Sequence, residues 1–165
     1  MYVCGMACAH MFEINTGATR RKKRSPIALV QNVPRIVLAD DQQEVLQIVS
    51  SILEDECEIV GLARDGEQAL QLARAKSPDL LVMDIFMPIL NGMDAAARLK
   101  ESGSLIKILF LTVYEDPDFV NAAISTGASG YVVKAHLISD LMPAIRNALA
   151  GHIYVSPTLL SCPSR

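Results

Sequence analysis

The sequence predicts an α/β fold, a parallel sheet covered by helices on both faces. Three observations lead there. Five short apolar runs recur along the chain, each the length of a strand buried on both faces. Longer stretches with apolar residues at helical spacing lie between them. The links are short and the alternation is strict, which calls for crossover helices and strands that all point one way.

Residues 1–33 show neither period and are expected to form a disordered or atypical leader. The basic pentamer Arg20-Arg-Lys-Lys-Arg24 is isolated and has no aromatic partners, so it reads as a solvated segment rather than a nucleic-acid contact. From residue 34 to Gly151 the pattern is regular, and this span is the expected domain. A strand at 35–39 precedes a helix near 42–54, whose Val45, Ile48, Val49 and Ile52 make one apolar stripe. A strand at 58–63 leads to a helix at 66–76, with Asp65 as its expected N-cap and Ser77-Pro78 as its stop. The strand at 79–83 passes through Met87-Pro88 and Asn91-Gly92 to a helix near 93–102. The strand at 107–111 precedes a helix near 116–126 that ends at Gly127. The last pair is a strand at 130–133 and a helix near 139–150, closed by Gly151. Pro143 is the misfit: beyond the first turn it removes a hydrogen bond and crowds the preceding turn, so a late start or a bend is expected. Residues 152–165 read as a truncated linker or tail.

Composition narrows the function. A chain of 165 residues fits one domain with tails, and 51% apolar with 20% charged residues is ordinary for a globular protein. The net charge of −3 gives no general attraction to nucleic acid or anionic lipid. Mean hydropathy is positive at +0.30, yet no apolar stretch approaches the roughly 20 residues of a bilayer span. Cys4, Cys8, Cys57 and Cys162 are too scattered for a disulfide framework. Cys4, Cys8 and His10 match no compact zinc spacing and lack a fourth ligand. With no secretory signal in view, a cytoplasmic protein without a membrane partner is expected.

The chemistry lies at the ends of the runs. Ile36-Val-Leu-Ala39 runs into Asp40-Asp41, Leu80-Leu-Val-Met83 into Asp84, Ile108-Leu-Phe-Leu111 into Thr112, and Tyr131-Val-Val133 into Lys134. Carboxyl ends of parallel strands line one sheet edge, so these groups can meet although far apart in sequence. Three carboxylates that close would hold protons unless a cation neutralised them, and an oxygen-only set suits Mg²⁺. A metal, an ammonium and a hydroxyl around one carboxylate are suited to receiving a phosphoryl group, with Asp84 the candidate nucleophile. Singly, each residue has a plainer reading: helix cap, loop residue or strand terminus. The joint arrangement is what is specific.

Over residues 34–151 the chain resembles the receiver domain of two-component response regulators. The resemblance rests on Asp40-Asp41, Asp84-Ile-Phe-Met-Pro-Ile-Leu-Asn-Gly92, Leu111-Thr112 and Gly127-Ala-Ser-Gly-Tyr-Val-Val-Lys134. Ala144-Ile-Arg-Asn-Ala-Leu-Ala-Gly151 and Tyr154-Val-Ser-Pro157 are similar to the NarL/LuxR-type subfamily. The resemblance implies a flavodoxin-like, doubly wound sheet of five parallel strands in the order 2-1-3-4-5. It implies that Asp84 accepts phosphate from a sensor histidine kinase and that Asp41, Asp84 and the Phe86 carbonyl ligate Mg²⁺ or Mn²⁺. Asp40 would act mostly through water, and Thr112 and Lys134 would bind phosphoryl oxygens. Tyr131 would be a switch aromatic that turns inward as Thr112 moves toward the phosphate. The output would be a changed face of the fourth helix, fifth strand and fifth helix, and hence homodimerisation or output control. Such a domain is a signalling switch rather than a turnover enzyme.

Three departures qualify the match. Ala135 stands where many receivers have a proline after the lysine. Phe86 and Tyr114, two past Asp84 and two past Thr112, are bulky where some receivers align water with polar groups, so slow autodephosphorylation is expected. The helix-turn-helix of the subfamily is not found in this sequence, so DNA contact is expected only through an output domain that it lacks. Two other classes fit the residues less well. A phosphate-independent interaction module would have no use for an intact Asp84, Thr112 and Lys134. A flavodoxin-like cofactor binder needs a glycine- and hydroxyl-rich loop after the first strand, where Asp40-Asp41 would repel phosphate.

Overall fold

The computed structural model describes residues 33–160, so the leader with Cys4, Cys8, His10 and the basic pentamer, and residues 161–165, lie outside the described residues. The elements are β1 (Arg35–Ala39), α1 (Gln43–Leu53), β2 (Glu58–Ala63), α2 (Gly66–Lys76), β3 (Leu80–Met83), α3 (Gly92–Glu101), β4 (Lys107–Thr112), α4 (Pro117–Ser125), β5 (Gly130–Val133), α5 (Leu137–Leu149), β6 (Tyr154–Val155) and a short α6 (Pro157–Leu160). All strands are parallel, in the order β2-β1-β3-β4-β5-β6.

The five expected strands stand in the expected order, but the sheet has six. β6 pairs with β5 through Gly130↔Tyr154 and Tyr131↔Val155. The Tyr154 N–H donates to the Ser129 carbonyl at 3.1 Å and the Ser156 N–H to the Tyr131 carbonyl at 2.9 Å. Two residues carry no readable period, which is why this strand escaped a pattern-based reading.

Alternation along each strand divides the core into two layers. Ile36 and Leu38 of β1, Leu80 and Val82 of β3, Leu109 and Leu111 of β4 and Val132 of β5 meet Leu46, Val49 and Leu53 of α1 and Leu141, Ala144, Ile145 and Ala148 of α5. Val37, Leu81, Met83, Phe110 and Tyr131 face the other way, onto Ala69, Leu70 and Ala73 of α2, Ala95, Ala96 and Leu99 of α3 and Ala123 of α4. Alanine on α2 and α3 lets these helices lie close to the sheet.

Side chains at the helix ends fix where each helix starts and stops. Asp65 accepts from the Gln68 N–H at 2.8 Å, as the expected N-cap does. Asn91 caps α3 through the Asp94 N–H, and Asp116 caps α4 through the Asp118 N–H with Pro117 in the first turn. Ser77 ends α2 at φ +45°, in the left-handed region. The last helix starts earlier than expected: a 3₁₀ turn, Lys134–His136, runs straight into α5 at Leu137. Ser139 is therefore inside the helix, its hydroxyl near the His136 carbonyl and the Asp140 carboxylate. Pro143 sits within α5 on its exposed side, where solvent can take the carbonyl that its missing N–H leaves free.

A buried polar link ties β6 to the rest. Ser156, fully buried, donates to Asp140 Oδ2 at 2.6 Å and accepts from the Val133 N–H at 3.1 Å. Removing the hydroxyl strands a buried N–H and a buried carboxylate oxygen. Ser156→Ala is therefore expected to lower unfolding free energy by about 1–3 kcal/mol, read from the urea midpoint at unchanged slope.

Candidate functional site

The chain turns out of β1, β3, β4 and β5 at one edge of the sheet, and the residue ending or following each strand projects there. Asp40 and Asp84 are almost wholly buried, Thr112 is fully buried and Asp41 is exposed. Backbone bonds continue the ladder into the acids: the Asp40 N–H donates to the Ala63 carbonyl at 3.1 Å and the Asp84 N–H to the Ala39 carbonyl at 2.9 Å. The loop after Asp84 folds back so tightly that a Cβ on Gly92 would overlap the Asp84 carbonyl, so only glycine fits there.

Lys134 bridges the acids. Its Nζ lies 2.7 Å from Asp84 Oδ2 and 2.6 Å from Asp40 Oδ2. The contact to Asp84 is a directed hydrogen bond. The contact to Asp40 Oδ2, at 2.6 Å, is a close ion pair. The other oxygens are engaged by backbone: Asp84 Oδ1 accepts from the Ile85 N–H at 2.6 Å and Asp40 Oδ1 from the Gln42 N–H at 3.0 Å.

The electrostatics follow. Burial pushes the Asp40 carboxyl above its ordinary range, and the nearby Lys134 and the Gln42 N–H only partly offset this. Burial would lower Lys134, but its close contacts with the Asp40 and Asp84 carboxylates carry its ammonium above its usual value. Asp40, Asp41 and Asp84 can each offer one oxygen within 4.8 Å of the others. Three carboxylates against one ammonium leave negative charge in a partly buried place, and the oxygen-only donor set fits a hard divalent cation.

Three aromatics frame the site. Tyr131 is fully buried on β5, and its hydroxyl donates to the Tyr114 carbonyl at 2.8 Å. Burial, then the charges of Asp84 and Asp116, push its phenol well above the ordinary range. Phe86 and Tyr114 stand at the rim with ring centroids 4.5 Å apart. Of the residues expected from the sequence, Asp40, Asp41, Asp84 and Lys134 meet at one place, and Thr112, Tyr131 and Phe86 each contact Tyr114 in the loop after β4. Sequence reading missed Phe119 on α4, whose ring completes a triangle with Phe86 and Tyr114, because nothing in a helix's first turn marks such a contact.

This geometry has a family. A model of the response regulator receiver domain matches residues 36–146. The chain belongs to that family. The receiver domain is 35% identical over 127 residues to the transcriptional regulatory protein YvfU and 36% identical over 127 residues to DesR, both of Bacillus subtilis. Each alignment covers 76% of this chain but only 64% and 63% of those relatives. A LuxR-family two-component response regulator from Aurantimonas sp. SI85-9A1 superposes with TM-score 0.74 at 32% identity, covering 78% of this chain and 93% of that one. The signal receiver domain of a NarL response regulator from Mycobacterium tuberculosis gives 0.69 at 27% identity, covering 72% and 98%. The two structures are thus of a LuxR-family regulator and a NarL regulator.

The excess charge makes a testable claim about this receiver domain. A carboxyl whose pKa is raised on folding favours the fold when protonated. That contribution is complete below the unfolded value and is lost as pH rises through the higher folded value. Asp40→Asn removes the loss. The variant is expected to match the wild type in acid and to be the more stable of the two at pH 7. Urea unfolding across pH without divalent cation measures this. Added Mg²⁺ is expected to stabilise the wild type by mass action and the variant far less.

Proposed function

We propose that this receiver domain is a phosphorylation switch: Asp84 takes a phosphoryl group from the phosphohistidine of a sensor histidine kinase. The observation that carries the reading is the Lys134 bridge, one ammonium 2.6 and 2.7 Å from two carboxylates at the ends of β1 and β3. An ammonium placed there neutralises the acids at rest and is at hand for phosphoryl oxygens on Asp84.

In the transfer, an Asp84 carboxylate oxygen attacks phosphorus, the phosphorus–nitrogen bond breaks and the donor imidazole leaves with the bonding pair. Lys134 turns from the carboxylates to a phosphoryl oxygen, and the Thr112 hydroxyl donates to another. Asp41, Asp84 and the Phe86 carbonyl would hold Mg²⁺ or Mn²⁺, with Asp40 acting mostly through water. The metal would supply positive charge to the phosphoryl oxygens. Asp40 and Asp84 enter from fixed strand ends, so little reorganisation is needed at the moment of transfer.

Thr112 and Tyr131 would carry the event outward. The two meet at Tyr114, whose N–H lies 3.5 Å from Thr112 Oγ1 and whose carbonyl accepts from Tyr131. Drawing Thr112 toward phosphate favours the loop position that accepts the tyrosine, which biases the face of α4, β5 and α5. The proposed partners are the kinase and a second copy of the domain. Regulation of transcription would run through an output domain, none of which lies among the described residues. No helix among them is long and apolar enough to cross a membrane, and the proposed site of action is the cytoplasm.

Acetyl phosphate with Mg²⁺ is expected to add one phosphoryl mass to the wild type and none to Asp84→Asn. A folded wild type that gains no mass would sink the proposal and favour a phosphate-independent module. The Phe86 and Tyr114 rings at the rim should restrict in-line water, so the phosphorylated domain is expected to last far longer than seconds. Its decay should quicken several-fold in Phe86→Asn, measured by loss of the phosphoryl mass. A lifetime of seconds that this substitution leaves unchanged would count against the aromatic screen.

A further inference from the structure

The rings of Phe86, Tyr114 and Phe119 form a closed triangle. Phe86 and Tyr114 lie 4.5 Å apart at 43°, Tyr114 and Phe119 5.0 Å at 42°, and Phe86 and Phe119 5.6 Å at 73°. These separations are those of attractive ring pairs. The three come from different places: the loop after β3, the loop after β4, and the first turn of α4. Phe86 is 46% exposed and Tyr114 38%, so core burial does not account for them. What distinguishes Tyr114 is its backbone. Its carbonyl receives the Tyr131 hydroxyl, and its N–H faces Thr112.

We propose that the three rings form an aromatic clasp that fixes the loop after β4 where the Tyr114 carbonyl can hold Tyr131 inward. Phe86 and Phe119 are then positioning residues for the switch, and the inward arrangement is largely formed before any phosphoryl group arrives. The clasp rests on the reading of Tyr131 as the switch aromatic. It adds that the set point of the switch is held by side chains outside the acidic pocket. Phe119 joins α4 to the residue two beyond the phosphoacceptor, so a shift at either end is felt by the Tyr114 ring.

Labelling with 3-fluorotyrosine gives Tyr131 its own ¹⁹F resonance, assigned with Tyr131→Phe. In the unphosphorylated wild type that resonance is expected at, or close to, its position with beryllofluoride and Mg²⁺. Phe119→Leu and Phe86→Leu keep apolar volume but remove ring pairs. Each is expected to lower the inward-to-outward ratio roughly two- to tenfold, with beryllofluoride and Mg²⁺ restoring the inward position. A Tyr131 resonance unmoved in both variants overturns the clasp, even where their urea midpoints fall, because a purely structural role would change stability alone. An outward resonance in the unphosphorylated wild type overturns it equally. Failure of the phosphoacceptor reading looks different: no mass gain from acetyl phosphate in wild type or variants, with Tyr131 still moving on ring substitution.

Discussion

The constraint on which this structure depends is an excess of negative charge held at one sheet edge. Asp40, Asp41 and Asp84 face one ammonium, and two of the acids are buried. Carboxylates left to themselves would move apart or take up protons. They cannot move, because β-ladder bonds from the Asp40 and Asp84 N–H groups hold the backbone at the Ala63 and Ala39 carbonyls. A sheet buried on both faces is therefore a condition of the site as well as a scaffold for it. The strain sits where a cation would relieve it, a common way for a site to give up stability for function.

Lys134 brings the rest of the fold into this account. It follows β5, and β5 is flanked on its outer side by β6. The Ser156 hydroxyl links the Val133 N–H, one residue before the lysine, to Asp140 on α5. The segment leaving the domain is thus bonded to the strand that carries the charge-balancing residue. Any displacement of Lys134 that reached its backbone would meet β6 within one residue.

Much of this was legible in the sequence, and the parts that were not share a cause. The five strands and their helices were readable because burial on both faces writes continuous apolar runs, and helices write a 3.6-residue stripe. Asp40, Asp41, Asp84, Thr112 and Lys134 were readable because parallel strands send their ends to one edge, so position along the chain translates directly into a place in space. β6 was not readable: two half-buried residues have no period, and Tyr154-Val-Ser-Pro157 looked like a linker. The start of α5 was misplaced because Ser139 has the chemistry of a cap, while its hydroxyl is used inside the helix. Phe119 was invisible for a similar reason. Its meaning depends on two rings from other loops, and tertiary contacts of that kind leave no spacing in the chain.

The buried position of Tyr131 bears on how such a switch could signal. A ligand can shift a two-state element only by the difference in its affinity for the two states. Where packing already favours the inward tyrosine, phosphorylation has less of the population left to move, and the resting domain is closer to its signalling form. The amplitude of the response is then smaller, and control rests more on how long the phosphoryl group survives. The same two rings bear on both quantities. Phe86 and Tyr114 stand where they would screen Asp84 from water, and they belong to the triangle that holds the loop against Tyr131. A substitution that opened the site to water would also loosen the loop, so lifetime and set point would change together. Phe119 lies at the far corner of the triangle and bears on the set point with less effect on water. Comparing it with Phe86 separates the two quantities that the shared rings otherwise join.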